Sequence, residues 1–113
     1  MRTILVVGPE PDAVTALRRS GYRVLTANRA ADAFRMLKQF LVSAIVCNLR
    51  LTDMTCGEFR RRLLECPEWA RIPVIGLTAE AESEEERSWY THILREPVDS
   101  ATLLDVISRA SPS

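Results

Sequence analysis

The sequence predicts an α/β fold in which five short strands alternate with five helices, and two observations carry that prediction. Apolar runs such as Ile4-Leu5-Val6-Val7 and Ala44-Ile45-Val46-Cys47 alternate with longer amphipathic stretches. This is the pattern of a parallel sheet covered on both faces by helices. Within the amphipathic stretches the apolar residues recur at about 3.6 residues, so each stretch has one face to bury.

Taken in order, a strand is expected at 3–7 and a helix at 11–19. Pro11 suits the first helical turn, where its missing N–H would have no partner anyway, and Gly21 suits the exit from that helix. A strand at 22–26, a helix at 30–40, a strand at 44–47 and a helix at 57–65 follow. The remaining elements are a strand at 73–77, a helix at 81–89, a strand at 91–94 and a helix at 99–109. Asp99, before the apolar positions Leu103, Leu104, Val106 and Ile107, is the expected N-cap of that last helix. Residues 1–110 read as one domain, and Ser111-Pro112-Ser113 as a tail or the start of a linker.

Composition narrows the function classes. A chain of 113 residues with 47% hydrophobic content supports one core and not two. Fifteen basic and fifteen acidic side chains balance to zero net charge. There is no global field to draw this domain to nucleic acid or an anionic membrane. No apolar run approaches the roughly 20 residues of a membrane span, so a soluble, cytoplasmic protein is expected. Cys47, Cys56 and Cys66 are odd in number and lack metal-ligand spacing, which suits reduced thiols.

Four segments, in this order, narrow the reading further: Ile4-Leu5-Val6-Val7-Gly8, Asn48-Leu49-Arg50-Leu51-Thr52-Asp53-Met54, Ile72-Pro73-Val74-Ile75-Gly76-Leu77-Thr78-Ala79 and Ile93-Leu94-Arg95-Glu96-Pro97. Together they resemble the CheY-like receiver domain of two-component response regulators, over nearly the whole chain. The resemblance implies a three-layer, doubly wound, flavodoxin-like (βα)5 fold with a five-stranded parallel sheet of order 2-1-3-4-5. Against the family, the stretches 11–21 and 78–96 are each short by about one helical turn, about four residues, so the first and fourth helices should be stubby.

The same resemblance marks a site whose chemistry has been replaced. Receivers hold Mg²⁺ with an acidic pair after strand one and an acceptor aspartate after strand three. Here the pair's positions are Gly8 and Pro9, which bring no carboxylate. Glu10 follows, either as a displaced ligand or as a favourable charge at a helix start. Asn48 occupies the acceptor position. An amide is neutral and a poor nucleophile, so phosphorylation should fail there, and Asn48 reads as a strand-end residue that hydrogen-bonds its loop. Deamidation would restore the acceptor but not the metal ligands.

Glu96-Pro97 takes the place of the family's Lys-Pro pair, whose proline commonly follows a cis bond. Glu96 inverts the local charge and repels a phosphoryl anion, unless it turns to solvent or pairs with Arg50 or Arg95. Thr78 keeps the family's hydroxyl position. The partner in the family's rotamer switch is an aromatic; here it is Ile93, which is stiff about χ1. No catalytic residue, metal or cofactor is expected.

A fold stripped of its catalysis still offers a surface. The family's interaction face is formed by the fourth helix, fifth strand and last helix. Here it includes Arg87, Trp89, Tyr90, His92 and Arg95, with residue types that anchor interfaces. The competing reading is that the aromatics fill the gap left by a short helix. Cys56 is read as a loop thiol, Cys47 as a small core residue, His92 as a rim residue, and Arg60-Arg61-Arg62 as a solvated helix face.

The expected function is a non-phosphorylatable pseudo-receiver that acts as a protein-interaction or dimerisation module in two-component-type signalling. The alternative is a receiver-like domain regulated by a small ligand or ion in the altered pocket. An enzyme is not expected, since there is no Gly-rich phosphate loop, paired His or Cys, or nucleophile elbow.

Overall fold

The computed structural model describes residues 2–48, 53–78 and 90–110. Within them run β1 (Thr3–Val7), α1 (Pro11–Arg19), β2 (Arg23–Ala27), α2 (Ala30–Gln39), β3 (Ala44–Asn48), α3 (Cys56–Glu65), β4 (Val74–Thr78), β5 (His92–Arg95) and α4 (Ser100–Ala110). Each expected element that falls on described residues is present, with ends moved by no more than a residue or so, as helix and strand ends commonly are. The helix expected over 81–89 and the tail 111–113 lie outside the described residues.

All five strands are parallel and ordered β2-β1-β3-β4-β5. The fold is therefore the doubly wound one that the resemblance implied. Strand alternation divides the core between the two faces. Ile4, Val6, Ala44, Val46, Ile75 and Leu77 face α1 and α4, where Leu17, Leu103 and Ile107 are buried. Leu5, Val7, Ile45, Cys47 and Val74 face α2 and α3, where Leu37, Phe59 and Leu63 are buried. Central strands buried on both faces explain why β1 and β3 read as continuous apolar runs.

The helix ends follow from local chemistry. Pro11 opens α1, Arg18 and Arg19 sit in its last turn, and Gly21 at φ +92° turns the chain into β2. At α3, Thr55 accepts a hydrogen bond from the Glu58 amide at 3.1 Å. Asp99 accepts from the Thr102 amide at 3.2 Å, the N-cap expected for α4. α2 has no side-chain cap of its own, since its N-cap residue is Arg29. Its donors are met from elsewhere in the chain.

Candidate functional site

Parallel strands end together, and here the shared carboxyl edge gathers the residues singled out above. Gly8 follows β1, Asn48 ends β3, Thr78 ends β4 and Glu96 follows β5. The register pairs Val7 with Cys47, Asn48 with Leu77 and Thr78 with Arg95. Thr78 is buried, and its carbonyl accepts from the Glu96 amide at 2.6 Å. The Glu96–Pro97 bond is cis, as the resemblance implied.

At the β1–α1 corner Gly8 has φ +107°, and a Cβ built there would lie 2.8 Å from Asn48 Cβ. Backbone sign and space both call for glycine. The corner is closed by the Gly8 amide on Ala27 O at 2.8 Å and the Glu10 amide on Gly8 O at 3.0 Å. This turn swings Glu10 back over the strand ends, where Asn48 Nδ2 donates to Glu10 Oε1 at 2.5 Å.

Across the cleft, Glu10 also meets the Glu96 side chain, and a cavity of about 170 Å³ lies between them. Its lining includes Asp12, Leu77, Pro97 and Val98. The Glu10 carboxyl is pushed up to about 7. Burial is the largest cause, followed by the hydrogen bond with Glu96; the Asn48 amide pulls the other way, and the charges of Glu96 and Asp12 add to the rise.

No family model matches the chain. The receiver domain of a Pseudomonas aeruginosa sensor histidine kinase, solved with magnesium in its active-site cleft, superposes with a TM-score of 0.86 at 26% identity, covering 99% of this chain and 98% of that one. An uncharacterized 14.6 kDa protein of Leptolyngbya boryana, from the 3' region of sodA1, is 31% identical over 114 residues, covering 94% of this chain and 87% of that protein. The hydrogenase transcriptional regulatory protein HoxA of Cupriavidus necator is 35% identical over 118 residues, covering 96% of this chain. The chain has the CheY-like receiver fold of response regulators. It spans 24% of the length of HoxA, the remainder of which it does not match.

In this receiver the residues at the strand ends do not fit the family's Mg²⁺. A hard cation of that size takes about six oxygen ligands in near-octahedral geometry. Gly8 has no side chain, Pro9 is exposed and has no side-chain oxygen, and Asn48 turns its amide nitrogen to Glu10. Among the described residues no group of three or more His, Cys, Asp or Glu side chains is arranged to hold a metal ion.

The other expected site residues of the receiver fall in different places. Ile93 is half-buried on the α2–α3 side of the sheet, beside Gly76 of β4. Tyr90 is a correction: it is only 8% exposed and joins the core on the α2–α3 side, so it fills space under the sheet edge instead of anchoring a partner. His92 and Arg95 are exposed at the two ends of β5. Arg87 and Trp89 lie outside the described residues. Cys56 is the first residue of α3 rather than a loop residue, and Cys47 is fully buried, as expected of a small core residue. The basic triplet on α3 is only partly a free face, because Arg60 donates to Ile72 O at 3.4 Å and Arg62 pairs with Glu58 at 3.4 Å.

One residue escaped the sequence reading. Asp53 accepts hydrogen bonds from the amides of Ala30 at 2.9 Å and Ala31 at 3.0 Å, capping α2 from the β3–α3 loop. Desolvation is the largest single influence on its carboxyl and raises it. The Ala30 and Ala31 amides, its own amide and the Arg29 charge outweigh that and hold its carboxyl below the ordinary range. The only sequence signal was a helix that begins at Arg29-Ala30 without a capping residue.

Proposed function

We propose that this receiver works without phosphorylation, as a constitutive protein-interaction module rather than an enzyme. The observation that carries the proposal is Asn48 at the acceptor position, with its amide nitrogen engaged by Glu10. An acyl phosphate needs a carboxylate nucleophile and cations to neutralise the incoming group. Here the acceptor position holds an amide bound to Glu10, and Glu96 lies beside Glu10. Two like unit charges about 4 Å apart repel by about 4 kcal/mol at an effective dielectric of 20, so each ionised carboxylate would oppose a phosphoryl anion strongly. Thr78 alone does not offset this.

With the site silent, the reading assigns function to the surface of β5 and α4, where His92 and Arg95 are exposed. The partner is a signalling protein or a second copy of this chain, in the cytoplasm. Similarity to one part of a transcriptional regulator supports a role as a module in a larger regulatory system. The rival reading, a small ligand in the altered pocket, has about 170 Å³ to work with, below the roughly 300–1,000 Å³ of ordinary ligand sites.

The test is an amide-resolved NMR titration with Mg²⁺ and then beryllofluoride, an acyl-phosphate mimic. Unchanged resonances at Gly8, Asn48, Thr78 and Glu96 are expected. Saturable shifts there, or stoichiometric phosphate uptake from a small acyl-phosphate donor, would overturn the reading.

A further inference from the structure

Two carboxylates meeting side by side need an explanation, because each can only accept hydrogen bonds. Glu10 and Glu96 come from opposite ends of the chain and meet across the cleft at the carboxyl edge of the sheet. Oxygen Oε1 of Glu96 is fully buried and has no donor among the described residues. A buried acceptor without a donor is costly, and the neighbouring group able to supply one is the Glu10 carboxyl in its protonated form. Two carboxyl groups joined by a hydrogen bond do not both ionise readily.

Glu10 is at the same time held in place from the other side by Asn48 Nδ2. Among the described residues, the charged groups that face Glu10 are Glu96 from the β5–α4 connection and Asp12 from α1. Both are acidic, so nothing on these elements compensates a second negative charge.

We propose that one proton held between Glu10 and Glu96 latches the β1–α1 corner to the β5–α4 connection, and that losing this proton opens the cleft between them. The latch joins the corner that carries Gly8 to the connection that leads into α4. Its opening therefore displaces the start of α4, next to the surface proposed for partners. The direction follows from the chemistry: closed when protonated, open when both carboxylates are charged. The raised titration of Glu10, near 7, places the transition around neutrality. The latch stands apart from the question of phosphorylation, because Glu10 would titrate whether or not the domain accepted phosphate elsewhere.

The experiment is a ¹³C titration of glutamate carboxyl carbons in the full chain, without Mg²⁺ or beryllofluoride, from about pH 5 to about pH 9, the window in which a raised carboxyl titrates. The side-chain amide of Asn48 and the backbone amide of Val98 are followed in the same spectra. The expected result is one shared midpoint near neutrality for Glu10, Asn48 and Val98. In Glu96→Gln the Glu10 midpoint should fall by about one pH unit or more, since the like charge is gone. Glu10→Gln keeps a donor toward Glu96, so the Val98 amide should lose its pH dependence near neutrality. Should Glu10→Gln fail to fold, the wild type and Glu96→Gln still decide the matter. Titration of Glu10 in the ordinary carboxyl range would overturn the latch. So would titration of Glu10 near neutrality that is unchanged in Glu96→Gln or without response from Val98, which would mark a lone buried acid.

Discussion

Gly8 sits where a lost carboxylate was the legible fact and a lack of room was not. A Cβ at this position would approach Asn48 Cβ to 2.8 Å on a backbone at φ +107°. Gly8→Ala should therefore destabilise by about 1–3 kcal/mol, the range of a strained backbone residue. Gly21 provides the control: its φ is +92° but nothing lies within 4 Å of an added Cβ. Gly21→Ala should cost only the left-handed backbone term, about 1–2 kcal/mol. Urea denaturation of both variants checks the pair; equal losses would mean that the contact with Asn48 contributes nothing. Asn48→Asp tests the same corner by charge. It replaces the donor to Glu10 with a third carboxylate, so it should lower stability at neutral pH by about 1–3 kcal/mol, the cost of an unpaired buried polar group. It should also leave the chain unphosphorylated by a small acyl-phosphate donor, as read by intact mass.

Among the elements, α2 depends most visibly on a residue outside itself. Asp53 supplies the cap that Arg29 does not. Asp53→Ala should cost about 0.5–2 kcal/mol, the usual penalty for a lost N-cap. Because the Asp53 carboxyl is depressed on folding, its contribution is present above the unfolded value of 3.8 and is lost as the pH falls through the folded value. The variant should thus show a shallower acid-denaturation limb than the wild type. A different dependence governs α3, whose Phe59 is fully buried and lies 5.0 Å from the Phe34 ring centroid. Phe59→Ala should cost about 3–5 kcal/mol in the same urea assay, through lost burial and the cavity left behind. The helix and its apolar face were legible from spacing. That the aromatics Phe34, Phe59 and Trp69 would meet was not, since two of them come from different helices and the third follows α3.

For the whole molecule, the two shifted carboxyls set opposing slopes with pH. Glu10 is raised on folding from 4.5 to about 7, so its stabilising contribution is full below 4.5 and declines as the pH rises to about 7. Asp53 works in the other direction at lower pH. Stability should peak near the point where the two meet, and the urea midpoint should fall from mildly acid to neutral pH. Glu10→Gln should flatten that fall; an unchanged slope would show that Glu10 is not its source. Since the strand-end residues do not fit Mg²⁺, adding a chelator should leave the thermal midpoint unmoved, whereas a drop of several degrees would reveal a bound cation.

Local pattern was enough to establish the five-strand alternation and the helix starts at Pro11 and Asp99. These are properties of residue type and short-range spacing, which the chain carries along its length. The strand order, too, was accessible once the spaced segments had been matched to a family. Only the tertiary structure brought Glu10 against Asn48 and Glu96, placed Asp53 on the amides of α2, and moved Tyr90 from the surface into the core. Each of those depends on a contact between residues far apart in sequence. Burial then changes what the side chain does: a helix-start glutamate becomes one partner of a proton-sharing pair, and an aromatic that could anchor a partner fills a sheet edge instead.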